Sequence, residues 1–165
     1  MKYDVIIVGA GASGIFAAYE LLQSGADIKI AMLEKGNVLT RRTCPIDNEK
    51  IKACISCPTC NIMNGFGGAG GMSDGKYNIT NNFGGELYKY IGQKEALNLM
   101  HYVDEVNCKM GGAGAKLYTT ENNELRTRAL RHDLHLLDAK VRHFGTDRNL
   151  VILNNLYHYL KDNQN

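Results

Sequence analysis

The chain has 165 residues, which bounds it to one domain or one domain with an excursion. Hydrophobic residues make up 44% and charged residues 22%, a balance that excludes wholesale disorder. A net charge of +2 argues against a nucleic-acid or polyanion binder, and no apolar run of about 18 residues exists to span a membrane. The opening, MKYDVIIVGAGASG, turns glycine-rich at once and lacks a small-residue cleavage site, so a cytoplasmic location is expected. Five Cys in such a chain point to metal or redox chemistry rather than to a disulfide framework.

Residues 3–8 (YDVIIV) form the short β-branched run of a buried parallel strand. A glycine turn over 9–14 follows, then a predicted helix over 13–24 with Phe16, Ala17, Leu21 and Leu22 on one face, stopped by Gly25. Residues 28–33 (IKIAML) read as a second strand, ending at Glu34. Strand, turn, helix and strand make a βαβ unit, whose crossover is expected to be right-handed. Residues 40–64 are polar and hold four of the five Cys, and 65–75 (GFGGAGGMSDG) hold six Gly, enough to require a loop. Helices are expected over 93–110, with Leu97, Met100, Val103 and Val106 in register, and over 121–132. A strand is expected over 134–141. The last element should be a helix over 147–161 that buries Leu150, Leu153, Leu156, Tyr157 and Leu160.

Gly9-x-Gly11-x-x-Gly14 follows the first strand and opens the first helix, with Glu34 twenty residues beyond Gly14. Gly9 permits the tight turn, Gly11 lets a pyrophosphate approach the backbone, and Gly14 lets helix and strand pack closely. The helix N-terminus, from Ala10 through Ala12 and Ser13, turns N–H groups and a partial positive charge toward an anion. Glu34 at the end of the second strand can accept hydrogen bonds from a ribose diol and would repel a 2′-phosphate, which favours FAD or NAD over NADP. Arg41 and Arg42 follow soon after, where a basic residue could reach phosphate oxygens, although a solvated basic pair is an equal reading.

The segments DVIIVGAGASGIFAAYEL and MLEKG, the Cys cluster running into CNIMNGFGGAGGMSDGKYN, and RHFGTDRN together resemble the uncharacterised FAD-dependent dehydrogenases of the glutathione-reductase-like flavoprotein superfamily. The resemblance runs from Lys2 to about Leu160. It implies that Gly9, Ala10, Gly11, Ala12, Ser13, Gly14, Glu34, Lys35 and Arg42 serve the ADP half of FAD. It further implies that Gly67, Gly68, Gly70, Gly71 and Ser73 run beside the flavin or the pyrophosphate. A small-molecule electron donor or acceptor would be the partner, and His143 in HFGTD is a candidate substrate or flavin contact. Members of that group run to well over twice this length. The resemblance therefore implies a truncated, N-terminal portion of such an enzyme, completed by a second chain or a missing C-terminal part.

Cys44, Cys54, Cys57 and Cys60 lie close together, the last three as C-x-x-C-x-x-C. Such thiolates can converge on an iron–sulfur cluster or zinc, Cys57 and Cys60 can form a redox dithiol, or all can be unliganded. Cys108 falls in a helical pattern and reads as a small buried hydrophobe. The basic stretch with His132, His135, Arg126, Arg128, Arg131 and Arg142 reads as a solvated face ahead of an anion-binding wall.

The expected fold is therefore α/β, with a Rossmann-like FAD/NAD(P)-binding βαβ start over 1–43. A Cys- and Gly-rich excursion follows over 44–76, and a partial α+β insertion over 77–165. The expected function is FAD-dependent oxidoreduction. A non-catalytic dinucleotide- or metal-binding module, or an NAD-binding domain, is the alternative.

Overall fold

The computed structural model describes residues 2–47 and 51–163. Contacts divide the chain into two compact units, Met1–Ser73 with Thr146–Asn165, and Asp74–Gly145. The final helix thus groups with the βαβ unit, whereas the sequence places it with the segment beginning at 77.

In the first unit β1 (Val5–Val8) and β2 (Ile30–Leu33) pair in parallel, in the register Val5 with Ile30 through Val8 with Leu33. Such a pair needs a crossover, supplied by α1 (Ala12–Gln23). The pairing extends past both ends, with the Asp4 N–H on the Lys29 carbonyl at 2.9 Å and the Gly9 N–H on the Leu33 carbonyl at 2.7 Å. Helix α1 buries Ile15, Ala18 and Tyr19, not the face centred on Phe16 and Ala17 that the sequence suggests. The close approach of helix and strand at Gly14 fixes the rotation: a Cβ there would stand 3.2 Å from Ile7 Cγ2, so the adjacent Ile15 and Ala18 turn inward. The other face of β1 is bare, with Ile6 61% and Val8 84% exposed.

Helix α5 (Gly145–Asp162) buries Asn149, Ile152, Leu153, Leu156 and Leu160. Tyr159 meets Tyr19 at 5.2 Å between ring centroids and accepts a hydrogen bond from Gln23 at 2.7 Å, while Tyr157 meets Phe66 edge-on at 5.2 Å. Because the helix begins at Gly145, Asp147 lies in its first turn, where a carboxylate complements the helix dipole.

The second unit is a three-stranded antiparallel sheet in the order β3 (Lys76–Ile79), β5 (Lys140–His143), β4 (Leu117–Thr119). The strand expected over 134–141 lies later, at 140–143, because pairing with both neighbours selects KVRH over the flanking LHLLD. The short α2 (Tyr88–Ile91) leads into α3 (Gln93–Asn107), which packs on β3. Then α4 (Asn123–Leu130) starts under a cap from Asn122, whose side chain accepts the Leu125 N–H at 2.9 Å. Arg142 on β5 forks onto buried Asp104 of α3, at 2.9 Å from Nε and 2.7 Å from Nη2. Its Nη1 donates to the Ala115 carbonyl at 2.6 Å. That pairing takes Arg142 out of the solvated basic face expected for it.

Candidate dinucleotide site

The turn between β1 and α1 has the geometry its glycines allow. Gly9 adopts φ +98°, in the left-handed region. A Cβ on Gly14 would collide with the Gly9 carbonyl oxygen, so only glycine closes the turn this tightly. At Gly11 the opposite holds, because a Cβ there would meet nothing within 4 Å. This open position sits at the N-terminus of α1, whose first N–H groups have no partner inside the helix.

The second glycine-rich loop closes over this turn. The Gly67 N–H donates to the Ala10 carbonyl at 2.8 Å, and a Cβ on Gly68 would stand 3.1 Å from Gly11 Cα. Two polar side chains hold the loop from behind. Buried Arg42 donates to the carbonyls of Asn61 (2.8 Å), Ile62 (2.7 Å) and Phe66 (2.8 Å). Asn149, fully buried on α5, donates to the carbonyls of Gly70 (3.2 Å) and Gly71 (3.4 Å).

Glu34 joins the pieces. Its Oε2 accepts the Ala10 N–H at 2.7 Å, and its Oε1 accepts the N–H groups of Gly36 (2.8 Å) and Gly65 (3.0 Å). The Ala10 hydrogen bond, then that from Gly36, holds this carboxyl below its ordinary value, with Gly65 and the Arg42 charge adding to the effect and burial opposing it. Arg42 is itself shifted down by burial, and Glu34 and Cys60 counter that shift. A carboxylate has about four acceptor positions. Three are filled, which leaves one on Oε2 for a ribose hydroxyl rather than the pair a diol would offer.

Beside Glu34 and Ala10 lies a cavity of about 580 Å³ with apolar walls from Ile30, Met32, Phe66 and Tyr157. Exposed groups at the turn are Ala12, Ser13, Lys35, Gly70 and Ser73, the Ser73 hydroxyl donating to the Gly70 carbonyl at 2.7 Å.

The arrangement is that of a dinucleotide cradle: a glycine turn after a parallel strand, a bare helix N-terminus and a carboxylate at the end of the next strand. This is a Rossmann-like dinucleotide-binding start. Residues 7–51 match the family described as NAD(P)-binding Rossmann-like domain, about a quarter of the chain. No curated protein and no solved structure gives a significant match.

Residues 9–14, Glu34 and the loop over 65–71 therefore come together in the Rossmann-like unit. Arg42 comes to the same place, but its guanidinium faces backbone carbonyls instead of a phosphate, because the tight loop leaves three buried oxygens that need a donor. Two participants escaped the sequence reading. Gly65 lies two positions before the first loop glycine given a role, and Asn149 ends the RHFGTDRN segment, whose resemblance assigned no role to that asparagine. Among the described residues no group of three or more His, Cys, Asp or Glu stands close enough to hold a single metal ion. No helix among them is long and apolar enough to cross a membrane.

Proposed function

We propose that this chain binds the ADP half of FAD and belongs to an FAD-dependent oxidoreductase. The observation that carries the reading is the convergence of the 9–14 turn, Glu34 and the 65–71 loop around the open position at Gly11. The pyrophosphate lies against Gly11 and the N–H groups of Ala12 and Ser13, where the helix dipole favours an anion. The ribose donates to the free position on Glu34 Oε2, and the adenine enters the apolar cavity beside it. Lys35, exposed one residue beyond, adds positive charge at the rim. Gly67, Gly68, Gly70, Gly71 and Ser73 line the side on which the chain would continue toward the flavin ring. Bound FAD supplies the hydride or electron transfer, so the protein's part here is binding and orientation. The resemblance of GFGGAGGMSDGKYN and HFGTD to flavoprotein dehydrogenases supports FAD over other dinucleotides.

The match to an NAD(P)-binding family keeps NAD as the second reading. Calorimetric titration of the purified chain with ADP, FAD, NAD and NADP separates the two. FAD and ADP binding, with NADP weakest because Glu34 repels its 2′-phosphate, is the expected result. NAD binding tighter than FAD would overturn the flavin assignment while leaving the cradle intact. Absence of any binding at millimolar concentration would overturn both.

A further inference from the structure

The four cysteines between 44 and 60 do not converge tightly, yet all four line one cavity. This cavity measures about 380 Å³ and lies apart from the dinucleotide cradle within the same unit. Its walls otherwise come from aliphatic side chains, among them Ile46, Ile55 and Ile62, and from neutral polar groups. Among the described residues no imidazole or carboxylate lines it. The donors they offer are thiols in a largely apolar shell, which favours thiophilic metals and iron–sulfur centres over hard cations. All four thiols are free, with Cys54 exposed and the other three half-buried.

The local backbone is shaped around the sulfurs. Ser56, between Cys54 and Cys57, adopts φ +53°, a left-handed conformation that L side chains rarely take. This turn brings the Ser56 N–H to Cys54 Sγ at 3.4 Å, the kind of backbone contact that stabilises a metal-bound thiolate. Pro58 stiffens the second C-x-x-C turn. Buried Arg42 donates to the carbonyls of Asn61 and Ile62, the two residues after Cys60.

A single ion and a cluster make different demands on the thiols. Around a single metal, four sulfurs crowd to within about 4 Å of one another, because each bond is only ~2.3 Å. The described residues hold no such group. Thiols spread over the wall of a cavity suit a polynuclear core, in which each thiolate binds its own iron and the core fills the space between them. We propose that Cys44, Cys54, Cys57 and Cys60 ligate an iron–sulfur cluster in this cavity. The site shares no ligand with the dinucleotide cradle, so either can fail without the other. The two are adjacent along the chain, since the Cys60 carbonyl accepts the N–H groups of Met63 (3.2 Å) and Asn64 (2.8 Å) at the entry to the second glycine loop.

The test is anaerobic reconstitution of the full chain with ferrous iron and sulfide, followed by desalting and assay of iron and acid-labile sulfide. The expected result is about four of each per chain, as for a four-cysteine cubane, with a broad absorbance near ~400 nm that bleaches with dithionite. Iodoacetamide should then alkylate Cys108 but not the four cavity thiols. Cys57→Ser should lower retained iron at least tenfold, whereas Cys108→Ser should leave it unchanged. Should Cys57→Ser fail to fold, iron, sulfide and alkylation of the unmodified chain still decide the matter. No retained iron and sulfide, or one zinc per chain without labile sulfide, would overturn the cluster. So would alkylation of the cavity thiols after reconstitution.

Discussion

Gly11 and Gly14 stand three residues apart in one motif, yet alanine at the two positions should have opposite consequences. At Gly14 a Cβ would strike the Gly9 carbonyl oxygen and crowd Ile7 Cγ2 at 3.2 Å. Neither β1 nor the turn can retreat without breaking the pairing of Gly9 with Leu33. Overpacking of this kind costs about 1–3 kcal/mol, and a backbone obstacle belongs at the top of that range. Alanine returns about 1 kcal/mol of helix propensity over glycine. A net loss near ~2 kcal/mol lowers the melting temperature by about 4–8 °C in a chain of this size. Gly11 has φ −77° and open space around its Cβ position, so Gly11→Ala should change the melting temperature by less than about 2 °C. The methyl would instead occupy the place of the pyrophosphate and block one charge-assisted hydrogen bond from the helix N-terminus, worth about 1.5–3 kcal/mol. ADP affinity measured by calorimetry should fall by ~10–100-fold. A Gly11→Ala chain that binds ADP as well as the unmodified chain would refute the placement of the phosphate. A Gly14→Ala chain with an unchanged melting temperature would refute the packing argument.

Three further substitutions test the polar framework. Glu34→Gln should cost about 1–3 kcal/mol at pH 7, because an amide cannot accept all three N–H groups as an ion. The folded carboxyl lies below its ordinary value, so its contribution is whole above that value and disappears as pH falls through the folded one. Melts of both chains should therefore converge as pH falls below the ordinary carboxylate range, and a gap equally wide in acid and at neutral pH would contradict the ionic role. Arg42→Met strands the carbonyls of Asn61, Ile62 and Phe66, at about 1–3 kcal/mol for each one left buried. Hydrogen exchange should then quicken across 61–71, and unchanged protection there would count against the clamp. Arg142→Met leaves Asp104 buried without its ion pair and should destabilise the second unit by about 3–5 kcal/mol in urea melts. A smaller loss in the double variant Arg142→Met, Asp104→Leu would separate the isolated charge from simple loss of packing.

The βαβ start was legible because each of its signals is local. The β-branched runs, the three glycines and the acidic residue twenty positions on each imply a geometry without reference to the rest of the chain. The second unit was far less so. Its strands are only three or four residues long, LYT of β4 is exposed throughout, and β5 is chosen by neighbours more than 20 residues away on one side and 60 on the other. Periodicity carries no information about such pairing. The rotation of α1 is not legible because the hydrophobic pattern offers two faces, and the choice between them rests on the absence of a side chain at Gly14. Glu34 is legible as the acidic residue twenty positions past Gly14, but its three backbone partners come from residues 10, 36 and 65, which no spacing rule links. The Arg42 side chain illustrates the same limit: a basic residue after a nucleotide motif suggests a phosphate, and only the folded loop reveals the three carbonyls that claim it.

These contacts bear on how a dinucleotide would be received. A loop with so many glycines has little side-chain packing to hold it and a large conformational entropy to lose on ordering. Here it is ordered by polar side chains reaching in from outside: Glu34 on Gly65, Arg42 on Phe66 and Asn149 on Gly70 and Gly71. None of these bonds uses the N–H groups of Ala12 or Ser13 or the last free position on Glu34 Oε2, which are the groups a dinucleotide needs. The framework and the ligand therefore do not compete, and binding need not break a bond within the protein. A site built this way is preorganised, so ligand affinity should be set by the contacts made rather than reduced by the ordering of the loop. Loosening the framework at Asn149, which holds the loop through the Gly70 and Gly71 carbonyls, should then weaken ADP through entropy while leaving the preference for ADP over a 2′-phosphorylated nucleotide unchanged, because the proposed source of that preference is the Glu34 carboxylate.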